Sequence, residues 1–126
     1  MNDNSTLYER IGGASQVAQL VDSMYQRILA DDELAPFFVD TPMDKQRKMQ
    51  TEFFCAALDG PVNYSGMDLA AAHRGRGITR AHVTRFVDHL IEALSRFDLS
   101  EQDINEICAR IGTYTNDIIG ESTADG

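Results

Sequence analysis

The chain has 126 residues, 43% of them hydrophobic and 25% charged, which fits one domain large enough to bury a core. With 20 acidic against 11 basic side chains the net charge is -9, and this argues against nucleic acid or an anionic membrane as the main partner. No run approaches the roughly 18 apolar residues of a membrane span. The polar N-terminus has no signal-peptide core, so the expected setting is cytoplasmic.

Residues 1–5 read as a loose polar leader. Thr6-Leu7-Tyr8-Glu9 has the form of a capping box, and Gly12-Gly13 stops that first helix almost at once. From Ala14 to Ala30, Val17, Leu20, Val21, Met24, Tyr25 and Ile28 follow helical spacing. Tyr25 falls on the inner stripe, and a buried phenol needs a hydrogen-bond partner. Asp31-Asp32 can cap the next turn, ahead of an apolar knot of Leu34, Phe37 and Phe38.

A further helix is predicted from about residue 44 to 58, with Gln46, Met49, Gln50, Phe53, Phe54 and Ala57 on its inner stripe. Two amides on that stripe are unusual. Burying each costs on the order of 1–3 kcal/mol unless it is hydrogen-bonded. They face either a polar ligand or a solvated margin; the margin reading suits Gln46 better than Gln50. Residues 59–66 form a break, and Met67 to Ala72 can make one or two helical turns.

Next comes His73-Arg74-Gly75-Arg76-Gly77-Ile78-Thr79, a lone imidazole just before a glycine-rich break, with Thr79 placed to cap a fresh helix. That helix carries Val83, Phe86, Val87, Leu90, Ile91 and Leu94 on one face. Ser100 caps a last helix, whose inner face is Ile104, Ile107, Cys108, Ile111, Thr115 and Ile118. The tail from residue 121 to 126 is small and polar. No stretch alternates with the period of a strand and none repeats. About four substantial helices, each with one apolar stripe, must therefore pack face to face in an all-α domain.

Cys55 and Cys108 sit in helical patterns and read as core thiols; a bridge between them is the alternative. Metal-hydrolase, phosphate-loop, nucleophile-elbow and calcium-loop motifs are all missing from the sequence. His82 and His89 are seven apart on one helix, too far to share a metal easily, and read as surface or seam residues. By spacing alone, a single histidine near glycines, such as His73, is more often structural than a ligand.

The motifs together resemble the truncated haemoglobins, most closely their first group. They run in order: Leu7-Tyr8-x-x-Ile11-Gly12-Gly13, Tyr25-x-Arg27-x-Leu29-x-Asp31-Asp32, Phe37-Phe38, Gln50-x-Glu52-Phe53-Phe54, Gly60-Pro61-x-x-Tyr64-x-Gly66 and His73-x-Gly75-Arg76-Gly77-Ile78-Thr79. The resemblance implies a two-over-two helical sandwich over residues 6–120, between the leader and a frayed tail. It implies haem b with His73 as the proximal iron ligand, and Tyr25, Gln46 and Gln50 as the distal polar residues. Phe37, Phe38, Met49, Phe53, Phe54, Leu58, Leu69, Ile78, Val83, Phe86 and Ile111 are the implied pocket wall, with Phe54 a candidate tunnel gate. Thr41, Lys48, Arg74 and Arg76 are candidates to meet the propionates.

Two departures stand out. The family's second glycine pair is Asp59-Gly60 here. Met49 replaces a histidine that binds iron in some relatives, which makes it a wall residue, with thioether ligation the alternative. The chain has no Cys-x-x-Cys-His motif, so noncovalent haem is expected. The resemblance implies reversible binding of dioxygen, carbon monoxide and nitric oxide by a monomer. The alternatives are a nitric oxide dioxygenase served by an unidentified reductase, and a helical interaction module without haem.

Overall fold

The structure, a computed structural model, describes residues 5–61 and 77–114. Among the described residues every regular element is helical: α1 (Leu7–Ile11), α2 (Ala14–Leu29), a 3-10 helix (Ala35–Phe38), α3 (Met43–Ala57), α4 (Arg80–Leu94) and α5 (Glu101–Gly112). None of them is long and apolar enough to cross a membrane. The expected capping box is present: Thr6 Oγ1 accepts from the Glu9 N–H at 3.1 Å, and Glu9 Oε1 accepts from the Thr6 N–H at 2.9 Å. Gly12 then ends α1 at φ 116°, a left-handed turn that glycine makes without a steric penalty.

α2 is the spine. It packs against α1, the 3-10 helix, α3 and α4, while α4 also packs against α5. This pairing is the two-over-two sandwich. Val17, Leu20, Val21, Met24, Tyr25 and Ile28 are all buried on α2, as their spacing predicts. Phe53, Phe54 and Leu58 meet them from α3 and the turn after it; Leu90, Ala93 and Leu94 from α4; Ile107 and Ile111 from α5. Ile91 departs from expectation, being 40% exposed while Ala93 is buried. It sits about 100° round the helix from Leu90, which turns it off the face that meets α2.

Among the long-range polar contacts that hold this frame, those of Asp31 and Asp59 stand at its corners. Asp31, just past α2, caps the next turn as its position predicts, its Oδ1 accepting from the Glu33 N–H at 2.8 Å. Its main partners lie on α4. Arg85 Nη2 donates to Oδ1 at 2.8 Å and Arg85 Nε to Oδ2 at 3.1 Å, and His89 Nε2 donates to Oδ2 at 2.7 Å. The carboxylate is almost fully buried. The second contact closes the turn after α3. There Asp59 takes φ 70°, in the left-handed region that favours glycine. Arg110 Nη1 holds it from α5, donating to Asp59 Oδ2 at 2.6 Å and to the Ala57 carbonyl at 3.1 Å. Gly60 is required for a different reason: an added Cβ would lie 2.6 Å from Tyr8 Cδ1 and 2.9 Å from the Cys55 carbonyl oxygen. Cys55 and Cys108 are free thiols, and burial raises the pKa of both.

Two outcomes follow from these contacts. Gly60→Ala forces Tyr8 and the Cys55 carbonyl apart and lowers the unfolding free energy by about 1–3 kcal/mol, read by chemical denaturation. Arg85, then His89, holds the Asp31 carboxyl well below the usual carboxylate range. Its contribution to stability is therefore complete above the ordinary carboxylate pKa of about 4 and is lost as pH falls below it. Asp31→Asn should flatten that acid limb in denaturation curves taken across pH.

Candidate functional site

Burial is uneven along the sandwich. On α3, Phe53, Phe54 and Cys55 near the C-terminal end are buried, whereas Gln46, Met49 and Gln50 nearer the start are half-buried. On α4, Leu90, Ala93 and Leu94 are buried, whereas Val83, Phe86 and Val87 are half-buried. Phe37 and Phe38 on the 3-10 helix are half-buried as well. One end of the fold therefore presents aromatic and aliphatic side chains that the helices only partly cover. Such a surface suits a flat apolar group.

Tyr25 anchors the polar part of this end. Its side chain is 1% exposed, and Phe38 meets its ring edge-on at a centroid distance of 5.5 Å. The Gln46 amide Nε2 donates to the phenol oxygen at 3.1 Å. The partner that a buried tyrosine requires is thus one of the two unusual amides, and the solvated-margin reading of Gln46 gives way to this bond. Gln50 lies one turn further along α3. A phenol oxygen that accepts from an amide still has its own O–H to donate. Burial pushes the Tyr25 pKa up to about 12, against the opposing pull of Gln46 and Arg47. The group is therefore a neutral donor at any ordinary pH.

The other predicted residues fall as follows. Phe54, Leu58 and Ile111 are buried in the core, and Phe53 touches Tyr114 edge-on at 5.1 Å. Thr41 and Ile78 are half-buried and Lys48 is exposed. His73, Leu69, Arg74 and Arg76 lie outside the described residues, as do the motif residues Tyr64, Gly66 and Gly75. Gly77, just beyond them, takes φ 76°, in keeping with a sharp break before α4. His82 and His89 are seam residues, as their spacing predicts. His82 Nδ1 accepts from the Thr79 N–H at 2.9 Å, and its ring meets Phe37 edge-on at 4.9 Å. A shallow open groove lined by Arg80, Val83, Thr84, Val87 and Asp88 runs along α4, sharing only Val83 with the predicted pocket.

The bacterial-like globin family matches residues 6–119. The chain belongs to the group 1 truncated haemoglobins within that family. It is 37% identical to the group 1 truncated haemoglobin GlbN of Mycolicibacterium paratuberculosis, over 90% of this chain and 84% of that protein. It is 32% identical to the group 1 truncated haemoglobin of Tetrahymena pyriformis, over 96% of this chain and all of that protein. The crystal structure of the Tetrahymena protein superposes with a TM-score of 0.88 at 32% identity, covering 93% of this chain and 100% of that one. Solved variants of it carry the changes Y25F, Q46E and Q50E. Those are the residue types and the spacing of Tyr25, Gln46 and Gln50 here. A haemoglobin of Synechococcus, solved with covalently attached haem, superposes at 0.87 with 31% identity, covering 93% of this chain and 100% of that one.

As a globin, the chain is a haem b protein that binds ligands at the haem. Its partly covered aromatic end and the buried phenol beside it fit that group. The titration of Tyr25 provides a check. Its folded pKa lies above the ordinary phenol value of about 10, so its contribution is complete below pH 10 and is lost as pH rises towards 12. Wild type should lose up to about 3 kcal/mol over that interval that Tyr25→Phe does not, measured as unfolding free energy against pH.

Proposed function

We propose that this truncated haemoglobin binds dioxygen reversibly, with His73 holding the haem iron and Tyr25, Gln46 and Gln50 forming the distal polar set. The observation that carries the reading is the 3.1 Å bond from the Gln46 amide to the Tyr25 oxygen. Haem b, when bound, supplies an iron that passes electron density to a diatomic ligand. The chain's own residues answer that charge. A neutral phenol O–H and amide N–H groups stabilise partial negative charge, and they do so more strongly in a dry pocket than in water. Because Gln46 occupies an acceptor site of the phenol oxygen, the phenol is oriented and its O–H remains available to donate.

Carbon monoxide and nitric oxide fit the same site, but gain less from a donor because they accumulate less charge. Phe37, Phe38, Val83 and Phe86 exclude water from the haem faces. Met49 fills a gap in the wall. Thr41 and Lys48 offer polar contacts to the carboxylate edge, with Arg74 and Arg76 candidates for the same role. Haem is held without a covalent bond.

Spectra of the ferric, ferrous and carbonyl forms test the reading. His73→Ala should fail to retain haem at wild-type affinity, and the wild-type pigment should extract into acidified butanone. Tyr25→Phe removes a donor to a charged group, worth about 10- to 100-fold. Dioxygen dissociation in stopped flow should accelerate by that factor while carbon monoxide dissociation changes far less. Equal rates in the wild type and Tyr25→Phe would overturn the distal assignment.

A further inference from the structure

We propose that Arg47, held by Asp22, is a positioning residue for the distal phenol: it sets a positive charge beside Tyr25 and so strengthens the O–H that Tyr25 offers to a bound ligand. The inference rests on the reading of Tyr25 as that donor. Arg47 follows Gln46 on α3, and Asp22 precedes Tyr25 by one turn on α2. The Arg47–Asp22 pair and the Gln46–Tyr25 bond therefore bridge the same two helices at adjoining points.

Arg47 Nε lies 3.3 Å from Asp22 Oδ1, and Arg47 Nη1 lies 3.6 Å from Asp44 Oδ1. Among the described residues Nε makes no hydrogen bond of good geometry, yet it is buried. A charged nitrogen in that state is costly. The Arg47 side chain as a whole is 32% exposed, so Nε lies on its inner side.

The placement has an electrostatic consequence. Asp22 and Asp44 sit on the wet side, with more than half of each side chain exposed. Their negative charges are screened by solvent, whereas Tyr25 is dry. The guanidinium field is thus cancelled poorly in the direction of the phenol and well in the direction of water. The field favours loss of the phenol proton, against the effect of burial, and a more acidic O–H is a stronger donor.

The test uses the haem-loaded ferrous protein with Arg47→Met, Arg47→Gln, Arg47→Lys, Tyr25→Phe and the Tyr25→Phe/Arg47→Met double variant. Three quantities are read: the C–O stretching frequency of the carbonyl form, the dioxygen dissociation rate, and the Tyr25 titration followed by carbon-13 labelling of the tyrosine ring. Arg47→Met should raise the C–O frequency in the direction of Tyr25→Phe. It should also speed dioxygen loss about fivefold, the order expected for one nearby charge at the protein's effective dielectric, and move the Tyr25 titration further up. Arg47→Lys should restore most of each change. In the Tyr25→Phe background Arg47→Met should add nothing.

If Arg47→Met fails to load haem, Arg47→Gln decides, with changes of the same sign and similar size. Unchanged frequency and titration in Arg47→Met, or in Arg47→Gln where it decides, would overturn the inference. So would an effect of Arg47→Met that persists in full when Tyr25 is phenylalanine. A Tyr25→Phe variant that matches wild type would instead overturn the donor reading itself.

Discussion

A phenol in a dry helix interface must be given a partner, and much of this fold is arranged around that requirement. Leaving the Tyr25 hydroxyl unsatisfied would cost on the order of 1–3 kcal/mol. α3 meets the cost with Gln46, an amide where a helix built only for packing would carry leucine or alanine. The crossing of α2 and α3 is thereby tied to a polar contact at 3.1 Å as well as to the hydrophobic seam of Met24, Phe53 and Phe54. A shift of α3 along α2 that kept the apolar seam would still break the bond. The amide therefore specifies register, a task that greasy contacts perform poorly because they are non-directional.

The same logic explains why the frame around the site is held by charge at its corners. The 3-10 helix that carries Phe37 and Phe38 springs from the Asp31 carbonyl, which accepts from the Leu34 and Ala35 N–H groups at 3.0 and 2.8 Å. The Asp31 side chain meanwhile grips Arg85 and His89 on α4. One residue thus fixes where the aromatic segment leaves α2 and where α4 lies against it. At the other end, Arg110 secures the turn after α3 by holding Asp59 in a left-handed conformation that glycine would adopt unaided. A non-glycine residue in that conformation has a visible compensation: a side chain that fixes its own turn through an ion pair with α5.

Much of this was legible in the chain, and the remainder was hidden for identifiable reasons. Helical periodicity reports which face of an element is apolar, so the buried residues of α2 and the caps at Thr6, Thr79 and Ser100 could be read directly. Gln46 and Gln50 stood out because polar groups on an inner stripe break the pattern. What a local pattern cannot report is a partner far away in sequence. Asp31 looked like a cap because caps are local, whereas Arg85 and His89 lie 54 and 58 residues further on. Ile91 lies outside the core for a smaller reason: next to Leu90, one residue step decides between core and solvent. Haem could not be inferred from spacing at all; it came from six ordered motifs and the family to which they belong.

The gradient of burial gives the site its energetic character. Helices α3 and α4 are closed at one end by Phe54, Leu58, Leu90 and Leu94 and left half-covered at the other by Phe37, Phe38, Phe86, Gln46 and Gln50. Apolar area that the chain leaves uncovered is stabilisation that a bound apolar group can supply, at roughly 25 cal/mol per Å². A globin of this shape therefore uses its cofactor as part of its core. By mass action haem binding and folding reinforce one another, so side chains that tune the ligand also belong to the packing that retains the haem. Tyr25 shows the consequence: the burial that keeps its proton in place makes it a donor at ordinary pH, and the same burial makes it a fixed piece of the α2 interior. On the proposed reading, function and stability share that side chain, and the polar residues beside it on α3 are where the two can be adjusted separately.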